Sequence, residues 1–283
     1  MMPVREAPVT ELLDVTSEKF LDALLEKDRL CYLGYFVQGV IHNVNGPLQN
    51  LSMLGEILLK GQDSQDGFVQ AHCPGSQDEW QDLSTKQRKR LAQLSQQILG
   101  LADMMRDFMV LHEIERNETE IDLNLILSKL VNVFRSDLFF KHQVTLDLQL
   151  ARNLPLLRIL GRHLIPALVH IFRNALTAMR ETPEKRLAIH SRFDNEKVHV
   201  DFRDSGCGIG KDPQKREQLF GLFHSNWEEC RAKLSRDEKH LGIGLFAAYR
   251  LLSPYGVHIR LEDCGDGTLT TLEIPVRKEL RTG

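Results

Sequence analysis

The sequence predicts an α+β protein, an N-terminal helical hairpin followed by a sandwich of helices on a β-sheet. Three observations predict it. Apolar residues recur at alternating spacings of three and four from Leu30 to Leu58, and again from Leu91 to Phe108. A polar, Gly- and Gln-rich stretch separates these two seams. From Glu120 onward, segments of strand-like alternation are interleaved with helical segments, a mixture that suits a sheet layered under helices.

The first seam consists of Leu30, Leu33, Val37, Val40, Val44, Pro47, Leu51, Leu54 and Leu58. This is the a/d pattern of a helix that packs along a partner helix. Pro47 is the one poor helix former on it and is expected to kink the helix. Residues 61–82 read as a loop, and Ser84 with Gln87 has the spacing of a capping box for the next helix. Leu91, Leu94, Ile98, Leu101, Met105 and Phe108 make the second seam. One hairpin cannot cover its own apolar stripe, so two hairpins in a homodimeric four-helix bundle are expected. The charged segment IERNETEI near residues 115–121 marks the expected boundary between domains 1–118 and 119–283.

In the second domain a helix is expected over Asp122–Phe140 and a strand over Gln143–Leu150, with Leu156–Leu160 as a further short strand. Gly161–Met179 reads as a helix ended by Glu181-Thr182-Pro183. Leu187–Phe193 and Val198–Arg203 read as a hairpin turning at Asp194-Asn195. A helix near Ile243–Leu252 and strands over Gly256–Glu262 and Leu269–Val276, joined through CGDG, complete the pattern.

Composition narrows the function classes. The chain of 283 residues is 42% hydrophobic and 27% charged with a net charge of −3, which is globular composition without the basic excess of a nucleic-acid binder. No run of 18 apolar residues occurs, so no membrane span is expected. The N-terminus lacks the apolar core of a signal peptide. The five cysteines are scattered, with no CxxC pair, and indicate neither a disulfide framework nor a zinc site. A cytoplasmic location fits that usage.

His42 stands two residues before the a-position Val44, at the f position of the heptad, the face turned away from the bundle core. An exposed neutral imidazole there is a usable nucleophile. Its surroundings, RLCYLGYFVQGVIHNVNGPLQNL, resemble the H-box of sensor histidine kinases, with Pro47-Leu48 five residues after the histidine. The resemblance continues in order. Phe172-Arg173-Asn174-Ala175-Leu176-Thr177-Ala178-Met179 is similar to the N-box and Asp204-Ser205-Gly206-Cys207-Gly208-Ile209-Gly210 to the first glycine box. Leu219-Phe220-Gly221-Leu222-Phe223 is similar to the F-box, and Gly242-Ile243-Gly244-Leu245 to the second glycine box. Each motif alone is weak; five in order over roughly residues 28–276 make a specific signal.

The resemblance implies a catalytic domain of the histidine kinase/Hsp90-like type with ATP and Mg²⁺ as cofactors. It implies His42 as phosphoacceptor with Asn43 beside it. It implies a nucleotide site from His170, Asn174, Asp204, Gly206, Gly208, Gly210, Gly242, Gly244 and Leu245. Asn174 would hold Mg²⁺, which needs few protein ligands because phosphates and water supply the rest. Asp204 would accept from the adenine amino group. Glycines let the backbone turn tightly, and the amides opening the helix after Gly242 favour phosphate. Residues 224–241 would form a lid. A response-regulator receiver domain is the implied partner. The roughly thirty residues ahead of the H-box are too few for an independent core, so either the sequence is part of a longer sensor or a separate sensor protein is a further expected partner.

The sequence also departs from the family pattern. Asn43 replaces the usual acid and cannot act as a general base, a loss worth about 10²–10⁴ in rate. Gly46 stands where Thr or Asn is common, His170 where a second Asn is common, Trp227 near the usual Lys and Phe246 where a further Gly is usual. These changes bear on transfer more than on nucleotide binding. A nucleotide-binding pseudokinase or dimeric scaffold is the alternative reading.

Overall fold

The computed structural model describes residues 21, 23–24, 26–27, 49–51, 53–58, 60–61, 77–117, 120–210, 212, 216, 218–222, 224 and 242–276. They fall into two compact units divided between residues 110 and 111, with the residues before 37 grouped with the second.

In the first unit, the described residues of 49–61 are helical, as the first seam predicts. The long helix α1 spans Gln77–Asn117. It begins seven residues before the predicted cap at Ser84. Residues 77–82 are helical where their polar composition reads as a loop. Leu91, Ile98 and Met105 of the second seam are exposed in the single chain, together with Leu99 and Met109.

The second unit is a layered α/β structure, as predicted. Helix α2 (Leu123–Phe134) is capped by Asp122, whose carboxylate accepts from the Leu125 N–H at 3.1 Å. The single helix expected over Asp122–Phe140 is two. Asp137 starts α3 (Leu138–Gln143) by accepting from the N–H groups of Phe139 and Phe140. An Asp that caps two amides ends one helix and opens the next even within an apolar run.

Strand β1 (Thr145–Gln149) follows, and the expected strand at Leu156–Leu160 is reduced to a single bridge between Leu157 and Ile121. Helix α4 (Gly161–Met179), the hairpin β2 (Arg186–Asp194) and β3 (Lys197–Asp204), helix α5 (Gly244–Leu252), and strands β4 (His258–Asp263) and β5 (Thr268–Pro275) agree with the sequence reading to within a few residues. The β2–β3 turn places Asn195 and Glu196 at positive φ, the conformation that matches a two-residue turn to strand twist.

The sheet order is β1-β2-β3-β5-β4, with β1 parallel to β2 and the other pairs antiparallel. Alternation puts Leu187, Ile189, Val198, Val200, Phe202, Leu272 and Ile274 on the buried face. Phe172 of α4 is the hub of this core. Its ring stacks on Phe134 at 4.0 Å and meets Phe140 and Phe202 edge-on. The last turns of α1 also join the unit. Leu111 and Ile114 are buried, and Gly161 lies against the Ile114 carbonyl, where a Cβ would come within 2.1 Å.

The opposite face of the sheet is polar. Asp147 pairs with His190, Arg192 with Asp201, and Glu273 with both Lys197 and Arg260. Among the described residues no helix is long and apolar enough to cross a membrane.

Candidate functional site

Helix α4 brings the motifs of the second unit together. Its amphipathic pattern buries most of its length, including His170 at 5% exposure, while Asn174 one turn on is only half-buried. At this point α4 meets the start of α5. A Cβ on Gly244 would lie 3.2 Å from His170 Nδ1 and 3.7 Å from Asn174 Oδ1. The N-box and the second glycine box are therefore in contact, and glycine is what lets the two side chains come so near the main chain at the opening of a helix. Gly242 just before has φ +68°, a left-handed conformation that favours glycine. Leu245 is half-buried in the first turn of α5. That helix has no side-chain cap, so its first amides are donors without an intrahelical partner.

The other end of α4 meets the first glycine box. The Cys207 N–H donates to the Ala178 carbonyl at 3.2 Å, and a Cβ on Gly206 would lie 2.4 Å from that of Ala178. The turn leaves β3 at Asp204. This residue is 5% exposed, and its carboxylate accepts from the Gly206 N–H at 2.8 Å and from the Thr268 N–H. Burial pushes its carboxyl up to about 6, against the pull of those two amides. A carboxylate has about four acceptor positions, so capacity remains for a ligand's donor. Gly208 and Gly210 both have positive φ.

Two features of the site were not singled out in the sequence. Gly267, in the CGDG turn, packs on the main chain of Asp204, where a Cβ would come within 1.8 Å of its carbonyl oxygen. Asp263, at the end of β4, holds the far end of the first glycine box through the amides of Ile209 and Gly210. The run CGDG signalled a turn but not its target. Asp263 reads as local turn chemistry, through the Gly265 N–H at 2.8 Å, and its approach to Ile209 and Gly210 from a distant segment gave no signal.

From the F-box, Leu219 is buried and Phe220 packs 5.9 Å from Tyr249 of α5. Cys207 is disulfide-bonded, where the sequence indicated no disulfide, and Cys264 is free and exposed. His42, Asn43, Gly46 and Trp227 lie outside the described residues, as does most of the expected lid. Among the described residues no cluster of three or more His, Cys, Asp or Glu side chains is arranged to hold a metal.

Residues 162–278 match the family of histidine kinase-, DNA gyrase B- and HSP90-like ATPases. The methanogenesis regulatory histidine kinase FilI of Methanothrix harundinacea is 28% identical over 131 residues, 46% of this chain and 14% of that protein. The signal transduction histidine-protein kinase ArlS of Staphylococcus haemolyticus is 25% identical over 232 residues, 80% of this chain and 45% of that protein. The sensor-like histidine kinase SenX3 of Mycolicibacterium smegmatis is 25% identical over 247 residues, 85% of this chain and 56% of that protein. This chain thus spans about half, or less, of the length of these relatives. Over most of its length the chain is similar to sensor histidine kinases, and its residues 162–278 carry the match to the histidine kinase-, DNA gyrase B- and HSP90-like ATPases.

Proposed function

We propose that the protein is a histidine kinase that autophosphorylates on His42 with Mg-ATP and passes the phosphoryl group to an Asp of a response-regulator receiver domain. The observation that carries the reading is the meeting of α4 with both glycine boxes. One helix sets Asn174 against the uncapped start of α5 and, farther along, Ala178 against the turn that leaves Asp204.

Each residue then has a physical task. Ionised Asp204 accepts from the adenine amino group, while Gly206, Gly208 and Gly210 keep the main chain close to the base. The amides of Gly244 and Leu245 at the head of α5 favour phosphate, and Gly242 turns the chain into that helix. Asn174 offers a neutral oxygen to Mg²⁺, which takes its other ligands from phosphates and water. His170 borders the same gap beside Gly244. Bound Mg-ATP supplies the phosphoryl group and the charge neutralisation its transfer needs.

His42 attacks with a ring-nitrogen lone pair, forming an N–P bond as the bond to the β-phosphate oxygen breaks. Asn43 has no basic atom to take the ring proton, which passes to solvent, so transfer is slow for this chemistry. The exposed seam of Leu91, Ile98 and Met105 supports a homodimer in which a second hairpin completes a four-helix bundle.

A second reading is a pseudokinase or dimeric scaffold that binds nucleotide and a regulator without transfer; Asn43 and Gly46 favour it. Incubation with γ-labelled ATP separates the two. Acid-labile, base-stable label that disappears in His42→Gln is expected. Nucleotide binding with no label under any Mg²⁺ condition overturns the kinase, and absence of steady phosphate release then separates the scaffold from a nucleotide hydrolase.

A further inference from the structure

We infer that Asp263 is a positioning residue for the nucleotide, acting through the first glycine box; this rests on the proposed ATP site. The register of the sheet sets Asp204, Thr268 and Asp263 on one row across β3, β5 and β4, all on the inward face. The glycine box leaves this row at Asp204 and returns to it at Asp263. The Asp263 carboxylate accepts from the Gly265 N–H at 2.8 Å and from the amides of Gly210 and Ile209.

Arg216 closes the same turn from the other side. Its Nε donates to the Gly210 carbonyl at 3.1 Å, and its charge acts on Asp263. Gly208 packs beneath, where a Cβ would lie 3.1 Å from Asp263 Oδ2. The residues at the turn's two ends therefore have distinct work. Asp204 is buried and keeps acceptor capacity for the base, whereas Asp263 directs its acceptors at the turn's own main chain. Left-handed residues such as Gly208 and Gly210 have many alternative conformations, so a turn built on them holds one shape only when something outside it fixes the amides.

The test compares the full chain with Asp263→Ala and Asp263→Asn under reducing conditions, so that the Cys207 disulfide is open in every sample. Mg-ATP affinity is measured by calorimetry, and amide hydrogen exchange is followed without nucleotide. In Asp263→Ala, exchange at Ile209 and Gly210 is expected to rise, and Mg-ATP affinity to fall about tenfold, the equivalent of one or two lost hydrogen bonds. Asp263→Asn keeps one acceptor oxygen and is expected to fall between Ala and the parent; it also covers the case in which the Ala variant fails to fold.

A merely structural role would speed exchange across the whole domain and leave affinity unchanged well below the melting temperature. That result, or unchanged exchange at Ile209 and Gly210, overturns the inference while leaving the ATP site standing. A parent protein that binds no Mg-ATP overturns the ATP site itself and the positioning role with it. The exchange rates then still report whether Asp263 holds the turn.

Discussion

Gly267 stands so close to the main chain of Asp204 that a Cβ at Gly267 would lie 1.8 Å from the Asp204 carbonyl oxygen. The start of β5 is thereby pressed against the end of β3, the place from which the first glycine box departs. Gly267 also has φ +148°, a conformation that L side chains rarely adopt. Gly267→Ala is expected to cost about 3 kcal/mol or more, because backbone must move and a strained dihedral must be held as well. Gly265→Ala is the control. Its φ is +79°, but nothing lies within 4 Å of the added methyl, so the cost is limited to roughly 1 kcal/mol of conformational strain. Urea denaturation of both variants measures the difference, and equal losses would show that the contact with Asp204 is not the constraint.

Asp204 should make both stability and binding depend on pH, in opposite directions. Burial raises its carboxyl from 3.8 to about 6. The fold therefore prefers the protonated form. The stability contributed by that form is complete below pH 3.8 and is lost as pH rises through about 6. The loss amounts to on the order of 3 kcal/mol by pH 8. Asp204→Asn removes this term, so the parent minus variant stability difference should fall between pH 4 and pH 8. The proposed adenine recognition needs the ionised form, so Mg-ATP affinity of the parent should rise over the same interval. A pH-independent stability difference would contradict the burial argument, and pH-independent affinity would contradict the role in adenine recognition.

Much of this arrangement is legible in the sequence, and the exceptions have a common cause. Helix α4 is read end to end because its apolar positions recur at helical spacing and Pro183 follows its end. The β2–β3 hairpin is read because Asn195 sits between two alternating runs. The break between α2 and α3 is hidden, since Asp137 lies in a run whose apolar content continues through Leu138, Phe139 and Phe140. Only the direction of its carboxylate, toward two following amides, makes it a cap. Asp263 is hidden in the same way. As a residue type before Cys264-Gly265 it reads as turn chemistry, and the amides of Ile209 and Gly210 reach it only through the register of three strands. Motifs carry the parts of the site that are contiguous; the parts assembled across the sheet need the fold.

Phe172 is an N-box residue whose work is packing. Its ring is stacked between layers, 4.0 Å from Phe134 and edge-on to Phe140 and Phe202, at 1% exposure. Phe172→Ala is expected to destabilise by roughly 3–5 kcal/mol, while Phe172→Leu, which refills most of the volume, should cost less than half of that. Because Asn174 lies on the same helix, nucleotide affinity in the Leu variant should stay within a few fold of the parent. Thermal melts and calorimetry on the two variants check this. Loss of affinity in Phe172→Leu without loss of stability would mean that the ring sets the site directly.

Gly244→Ala isolates the head of α5 from the stability of the domain. Gly244 lacks a positive φ, so alanine fits the backbone, and in a helix it is favoured over glycine by about 1 kcal/mol. The new methyl would lie 3.2 Å from His170 Nδ1 and 3.7 Å from Asn174 Oδ1. The first is tight, but it involves a side chain that has only to give by a few tenths of an ångström. The fold should therefore be kept, with the melting temperature moving by a few degrees at most. Nucleotide binding should respond differently. The methyl occupies the gap between the first amides of α5 and the Asn174 oxygen, where the proposed site sets phosphate and Mg²⁺. Mg-ATP affinity is expected to fall by about tenfold or more, and ADP affinity by less, since the γ-phosphate and its metal are absent. Calorimetric titration with both nucleotides, alongside a thermal melt, measures all three quantities. Equal losses for ATP and ADP would place the terminal phosphate away from Asn174, and no loss for either would remove the start of α5 from the site.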